Sequence, residues 1–365
     1  MTVPNAELLR VAVSHCLSRA GLDRPGHRYR QWVELSVRDH VLSLRHVGTQ
    51  TQSRLTFPID SPDCDPATVE LLLLQKSVAA GKQEPIELSL SGSTMSVAYG
   101  TVVATLPFAG GTVPTRDALD EASWTSIPLP QAELLPVLSQ WALSDRSTIP
   151  ALHVCRHHAD SVWAIHRTGL LRCQSSPLPE SSEVSHLVVP AGCWAGWRTP
   201  TRYGVTSQHL RVSTTIEVRA VDKHAPPLTL GVDMWIPRLD VPFPPIGPLL
   251  HMTGILWHGP RHELMHATHA VAALTDHSLN AVMIRVDGKG TATVCTPPTR
   301  KTQRAEARCP MEGPAAVTTL SARQLSTVLG ALTTEQVQWC ILPTGPVRLS
   351  APDQSLIAIL SPVTL

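Results

Sequence analysis

The 365-residue chain is poor in charge: Asp, Glu, Lys and Arg make up 16% of it and sum to a formal net charge of +1. Such a balance gives no global field toward nucleic acid or a membrane, so any contact with a polyanion has to come from a local patch. Long apolar runs are missing too. The opening Met1-Thr-Val-Pro-Asn-Ala-Glu7 has no signal core, and no stretch is long enough to span a bilayer. A soluble, cytoplasmic protein with no membrane partner is expected. There is no Cys-x-x-Cys pair; the eight cysteines are scattered, as reduced thiols are, which argues against a zinc ribbon or a disulfide framework. No phosphate-binding glycine loop, nucleophile elbow or paired-carboxylate pattern stands out, so catalysis and a bound cofactor are not expected.

What is present is a repeated order of elements. A length of 365 residues suits two or three domains. In the first unit, residues 5–20 place Leu9, Val13 and Leu17 on one helix face, and residues 32–47 read as a hairpin about Arg38-Asp39. Asp65-Pro66 predicts the start of a second helix running to Gly81. Ile86, Leu88 and Leu90 alternate, and residues 95–106 return as one strand. The second unit has a helix over 130–144, strand-like text over 151–155 and 161–173, a short ragged segment at 187–198 and strands over 209–221. A Pro-rich connection over 226–248 leads to the third unit: a helix at 261–274, a hairpin over 280–295 turning at Asp287-Gly-Lys-Gly290, and a second helix at 321–332. There Ser321 and Gln324 have capping-box spacing. The final strands flank Pro352-Asp353-Gln354, and an apolar strand reaching almost to Leu365 suggests a docked terminus. Helix, strands, helix, strands thus recurs three times at about 120–130 residues, a domain-sized period. Helices between antiparallel hairpins predict an α+β class, with domains at 1–120, 121–250 and 251–365.

One motif points to an enzyme. His262-Glu-Leu-Met-His266 has the spacing that sets two imidazoles one helical turn apart for zinc, with Glu263 as general base. The neighbouring His269 is not at the spacing of an extended metalloprotease motif. Leu264, Ala267, Val271 and Leu274 predict the buried face of that helix, which leaves the three histidines as its polar stripe.

Three stretches carry a resemblance: Ala164-Ile-His-Arg-Thr-Gly-Leu-Leu-Arg-Cys173, Phe243-Pro-Pro-Ile-Gly-Pro-Leu-Leu250 and Ile359-Leu-Ser-Pro-Val-Thr-Leu365. Together with the triple repeat they resemble the bacterial DNA polymerase sliding clamp, the β subunit of polymerase III, as a divergent member. The resemblance implies three tandem clamp-type domains with helices on one face of antiparallel sheets, and a homodimeric ring. It implies a processivity factor that encircles double-stranded DNA without reading its sequence. DNA polymerase and a clamp loader would be held through short peptide motifs in a groove between the second and third domains. The positions implied for that groove are Ile165, Arg167, Thr168, Gly169, Leu170, Pro244, Pro248, Leu249, Ile359, Leu360, Ser361, Pro362, Val363 and Thr364. Here Ile165, His166, Arg167, Thr168 and Gly169 replace the polar core of the family's motif, and Ser361 and Thr364 replace an apolar and a basic residue of its tail.

For duplex DNA, cations on helix faces would contact phosphates. Candidates are Arg10, Arg19, Arg24, Lys76, Lys82, Arg146, Arg198 and Arg261. Two alternatives stand beside the clamp: a diverged clamp-like interaction protein without a replicative role, and a zinc hydrolase built on His262, Glu263 and His266.

Overall fold

Apolar and polar residues alternate along most of the chain, and that period of two builds most of the structure. The computed structural model describes residues 2–3, 6–20, 32–47, 52–80, 85–91, 93–109, 124–126, 129–143, 149, 154–158, 160–175, 186–194, 202–206, 209–218, 227–242, 246–275, 280–298, 304–342 and 345–363. In chain order the first group of elements is β1 (Thr2–Val3), α1 (Ala6–Ala20), β2 (Trp32–Arg38), β3 (Val41–Val47), β4 (Gln52–Pro58), β5 (Cys64–Glu70), α2 (Leu71–Ala80), β6 (Ile86–Ser91), β7 (Thr94–Tyr99) and β8 (Val102–Ala109). The second is β9 (Trp124–Ser126), α3 (Leu129–Leu143), β10 (Val154–His158), β11 (Ser161–His166), β12 (Gly169–Gln174), β13 (His186–Pro190), a 3-10 turn (Ala191–Trp194), β14 (Arg202–Val205), β15 (His209–Val218) and β16 (Leu228–Pro237). After the short α4 (Gly247–Leu250), the third is β17 (Ile255–Pro260), α5 (Arg261–Ala272), β18 (Ala281–Val286), β19 (Thr291–Cys295), β20 (Glu306–Pro310), β21 (Ala316–Ser321), α6 (Ala322–Ala331), β22 (Gln336–Ile341), β23 (Val347–Ser350) and β24 (Leu356–Leu360). The same order, strand, helix, four strands, helix or turn, three strands, occurs three times.

The contacts divide the chain into two units, Met1–Ala132 with Leu178–Ser185 and Gly196–Leu239, and Glu133–Pro177 with His186–Ala195 and Asp240–Leu365. The first holds a twelve-stranded sheet in the order β1-β6-β7-β8-β5-β2-β3-β4-β16-β15-β14-β9. α1 lies on β3, β4, β15 and β16 and packs against α2. Its buried face is Ala6, Leu8, Leu9, Ala12, Val13 and Cys16, at the helical spacing the sequence carries. The second unit holds an eight-stranded sheet, β13-β10-β11-β12-β24-β23-β22-β17, and a four-stranded one, β20-β19-β18-β21, with α5 and α6 packed together over the latter. β24 is buried along its whole length. The fold is α+β with antiparallel sheets, three times over.

Several local expectations are corrected. Asp65-Pro66 does not open a helix. Cys64–Glu70 is β5, paired with β2, and the register shifts between Leu35 and Val37, where Pro66 needs no ladder partner. Ala67, Thr68 and Val69 are buried there, so tertiary pairing outweighs the local cap signal, and α2 starts six residues later. Residues 95–106 are two strands, because Gly100 (φ 53°) turns the chain. The first hairpin turns at Asp39-His40 (φ 51° and 59°), one residue beyond the expected pair. The Pro-rich connection contains β16, a ten-residue strand with Leu230, Val232, Met234, Trp235 and Ile236 buried. Leu274 lies beyond the end of α5 and is exposed. His157 and His158 end β10, and His157 is buried.

Candidate functional site

The β11–β12 hairpin is short because Arg167-Thr168 alone makes its turn, and its register aligns Ile165 with Leu170 and Trp163 with Arg172. β24 continues both rows, with Ile359 opposite Leu170 and Ile357 opposite Arg172. Strand pairing thus collects one face: Trp163, Leu170, Ile357 and Ile359 form a buried apolar cluster, rimmed by the half-buried Ile165, Ile246 and Leu250. Ile246 precedes α4 and Leu250 is its last residue, fixed by Arg348, which donates from its guanidinium to the Leu250 carbonyl at 2.6 Å. Leu249, between them, is 37% exposed. The product is an apolar strip with an open edge, the kind of surface that takes a leucine or phenylalanine anchor.

The tail beside the strip is held in place. The Ser361 N–H donates to the Thr168 carbonyl at 2.8 Å and the Val363 N–H to the Thr319 carbonyl of β21 at 2.8 Å. Pro362, between them, has no N–H to satisfy, and Ser361 and Pro362 present their side chains to solvent. The turn is braced from α6. Ser321 caps that helix by accepting from the Gln324 N–H, and the Gln324 amide donates to the Thr168 hydroxyl instead of closing the capping box. The same amide lies 3.0 Å from His166 Nδ1, which accepts from the Thr168 N–H. His166 in turn packs edge-on to Trp141 of α3.

Of the groove residues expected from the sequence, the structure brings Ile165, Leu170 and Ile359 into the strip, Leu249 to its edge, and Arg167, Thr168, Ser361, Pro362 and Val363 to its turn and tail. Gly169 and Leu360 are opposite one another on the other face of the sheet. Leu360 is buried there, on the face away from the strip. A side chain at Gly169 would meet the Ile359 carbonyl at 2.7 Å and Trp141 at 3.0 Å, which explains the glycine. Pro248 is in α4 but its side chain, like Pro244 and Thr364, lies outside the described residues. Sequence reasoning missed Trp163, Ile246, Leu250, Ile357, Arg348 and Gln324. Alternation along Trp163-Ala-Ile165 and Ile357-Ala-Ile359 carried that signal for two of them, Trp163 and Ile357.

Among the DNA-facing candidates, Arg10 donates to the Val78 carbonyl at 3.3 Å and pairs with Glu7 at 2.7 Å. Arg261 donates to the Leu329 carbonyl at 3.0 Å. Both guanidinium groups therefore sit at the carbonyl end of the neighbouring helix of their own pair, α2 and α6, where cations are favoured. Lys76 is exposed on α2. Arg24, Lys82, Arg146 and Arg198, and the side chain of Arg19, lie outside the described residues. His262, Glu263, His266 and His269 stand exposed on α5, opposite the buried Leu264, Ala267, Thr268 and Val271. Among the described residues no three His, Cys, Asp or Glu side chains come together as a metal site would require. Burial pushes the Cys16 and Cys173 thiols up to about 12, so neither is a ready nucleophile.

No family model matches the chain, and no curated protein matches it. Solved structures do. The Helicobacter pylori beta clamp bound to a DNA ligase peptide is similar at 13% identity and a TM-score of 0.80, over 100% of both chains. The DNA polymerase sliding clamp from Pseudomonas aeruginosa is similar at 16% identity and 0.75, over 100% of this chain and 99% of that one. The C. crescentus beta sliding clamp is similar at 16% and 0.77, over the same shares. From end to end, the chain has the fold of the bacterial DNA polymerase sliding clamp.

Proposed function

We propose that the protein is a sliding clamp: two copies close into a ring around duplex DNA, and polymerase and loader bind by short peptides in the apolar strip of β11, β12 and β24. It works in the cytoplasm without catalysis, by topology. The domains are the three repeats, 1–120, 121–250 and 251–365. The observation that carries this reading is a contrast between two equivalent places in the repeat. β4 receives β16 as β12 receives β24. At the first junction the outward rows are Ser43, Thr56 and Gly231, then Arg45, Arg54 and Asp233. At the second they are Ile165, Leu170 and Ile359, then Trp163, Arg172 and Ile357. A fold that needed nothing from this face could keep it polar in both, as sheets open to solvent do. Only one is apolar.

Ring closure is supported by strand edges. β20 ends its sheet with no strand beyond it among the described residues. β8 pairs over Val102 to Pro107 with β7, reaching β5 only at Phe108 and Ala109. By the logic of the repeat, the fourth strand of the third repeat should receive the last strand of a first repeat, supplied by a second copy. The DNA-facing set remains Arg10, Arg19, Arg24, Lys76, Lys82, Arg146, Arg198 and Arg261, with the two bonded arginines contributing charge more than direct phosphate contacts.

The test is light-scattering mass together with retention on nicked circular against linearised plasmid, with a clamp loader supplied. A dimer held on the circle and lost after linearisation is the expected result. A monomer, or equal binding to both forms, would replace the clamp with a diverged interaction protein.

A further inference from the structure

The face that carries the apolar strip also carries charge of one sign. β10, β11, β12, β23 and β24 together contain three arginines and no Asp or Glu. Register places all three on the strip's own face: Arg156 and Arg172 on either side of Trp163, and Arg348 beside Ile359. The Arg172 guanidinium lies over the Trp163 ring at 5.3 Å from its centroid. Its carboxylate neighbour Asp160 stands at 3.5 Å with 60% of its side chain in solvent. Arg167 is exposed at the other end, on the β11–β12 turn. The two acids on adjoining turns, Asp160 and Asp353, are both at the end away from Arg167, and Asp353 accepts from the Ser355 N–H and hydroxyl.

We propose that the strip selects a peptide bearing acidic side chains next to its apolar anchors. This rests on the partner-groove reading and adds the chemistry of the ligand. Arginines at the border of an apolar surface are weakly hydrated and offer planar donor pairs that match a carboxylate. Coulomb attraction there is screened less than in open solvent. The apolar floor decides between a peptide and a nucleic acid, because phosphate binding gains nothing from Leu170 and Ile359, whereas leucine or phenylalanine anchors do.

The experiment measures fluorescence anisotropy of three labelled peptides on the full chain, at low and high salt. Each has the same leucine and phenylalanine anchors, flanked by Glu, by Gln or by Lys. Affinity should fall in that order. The gap between the Glu and Gln peptides should be about fivefold at low salt and close at high salt. Arg172→Gln should bring the Glu peptide to the level of the Gln peptide, with a thermal melt showing whether the loss of Trp163 stacking weakens the fold. Arg167→Gln, at an exposed turn, repeats the test away from the Trp163 ring. Equal binding of all three peptides overturns the proposal and leaves the groove standing. Binding by none of them, or binding unchanged by Ile165→Asp, overturns the groove reading itself. Displacement of the Glu peptide by a single-stranded oligonucleotide assigns the arginines to phosphate and also overturns the proposal.

Discussion

His157 joins β10 in the buried row between Val162 and Leu187, where water cannot solvate an imidazolium. Burial lowers its pKa from 6.5 to about 3, so the folded protein holds it neutral. The consequence for stability has a definite sign. Below pH 6.5 the unfolded chain takes up a proton that the folded one refuses, so stability falls as pH drops from about 6.5 toward 3. Above 6.5 this residue contributes no slope. The limiting slope is about 1.4 kcal/mol per pH unit for one proton. His157→Leu should flatten the acid limb of a chemical-denaturation series between those limits and leave the alkaline limb as it was. An unchanged acid limb would mean that other groups govern it. The residue scale also explains the paired arginines. Arg10 and Arg261 look like free cations in the sequence, and only the helix next to each reveals the carbonyl it binds.

At the scale of elements, the second helix of the third repeat is held by two groups from outside its hydrogen-bond ladder: Ser321 at its start and Arg261 at the Leu329 carbonyl near its end. Ser321→Ala should cost about 1 kcal/mol, the usual value of an N-cap, and Arg261→Ala a similar amount in urea unfolding. The two losses should add, because the ends they serve are separate. A fall in DNA retention by Arg261→Ala beyond what the stability loss explains would give that arginine a direct phosphate contact as well. The elements read most surely from sequence are those whose local chemistry and tertiary role agree. The Asp287-to-Gly290 turn does so, as Asp287 accepts from the Lys289 and Thr291 N–H groups, and so does the Ser321 cap. Misreadings came where the two conflict. Pro66 carries a helix-start signal inside a strand, and the prolines flanking β16 disguise a buried ten-residue strand as a linker. Of the apolar strip, Ile165, Leu170 and Ile359 were legible in the sequence. Ile246, Leu250 and Arg348 were not, because they reach it through a connection and a neighbouring strand rather than through a motif.

For the whole molecule, the triple repeat carries a prediction that no single repeat could. Each internal junction joins the fourth strand of one repeat to the last strand of the next, and among the described residues one such donor and one such acceptor are left over, β8 and β20. On β8, Val102 and Val103 are 47% and 63% exposed. An apolar strand edge left open is a template for another chain, and soluble proteins normally protect it. A second copy would supply that protection at both ends of the chain at once, its β20 meeting this β8 and its β8 meeting this β20, which is the head-to-tail contact that a ring of two requires. Val103→Asp should therefore turn dimer into monomer by light scattering and abolish retention on circular plasmid, while each copy stays folded, since within one copy the side chain is exposed. Leu256, 52% exposed on β17, is an equally apolar surface residue outside the proposed junction. Leu256→Asp should leave the dimer intact. Were Leu256→Asp the variant that dissociates it, the edge of the eight-stranded sheet, and not β8 with β20, would be where the copies meet.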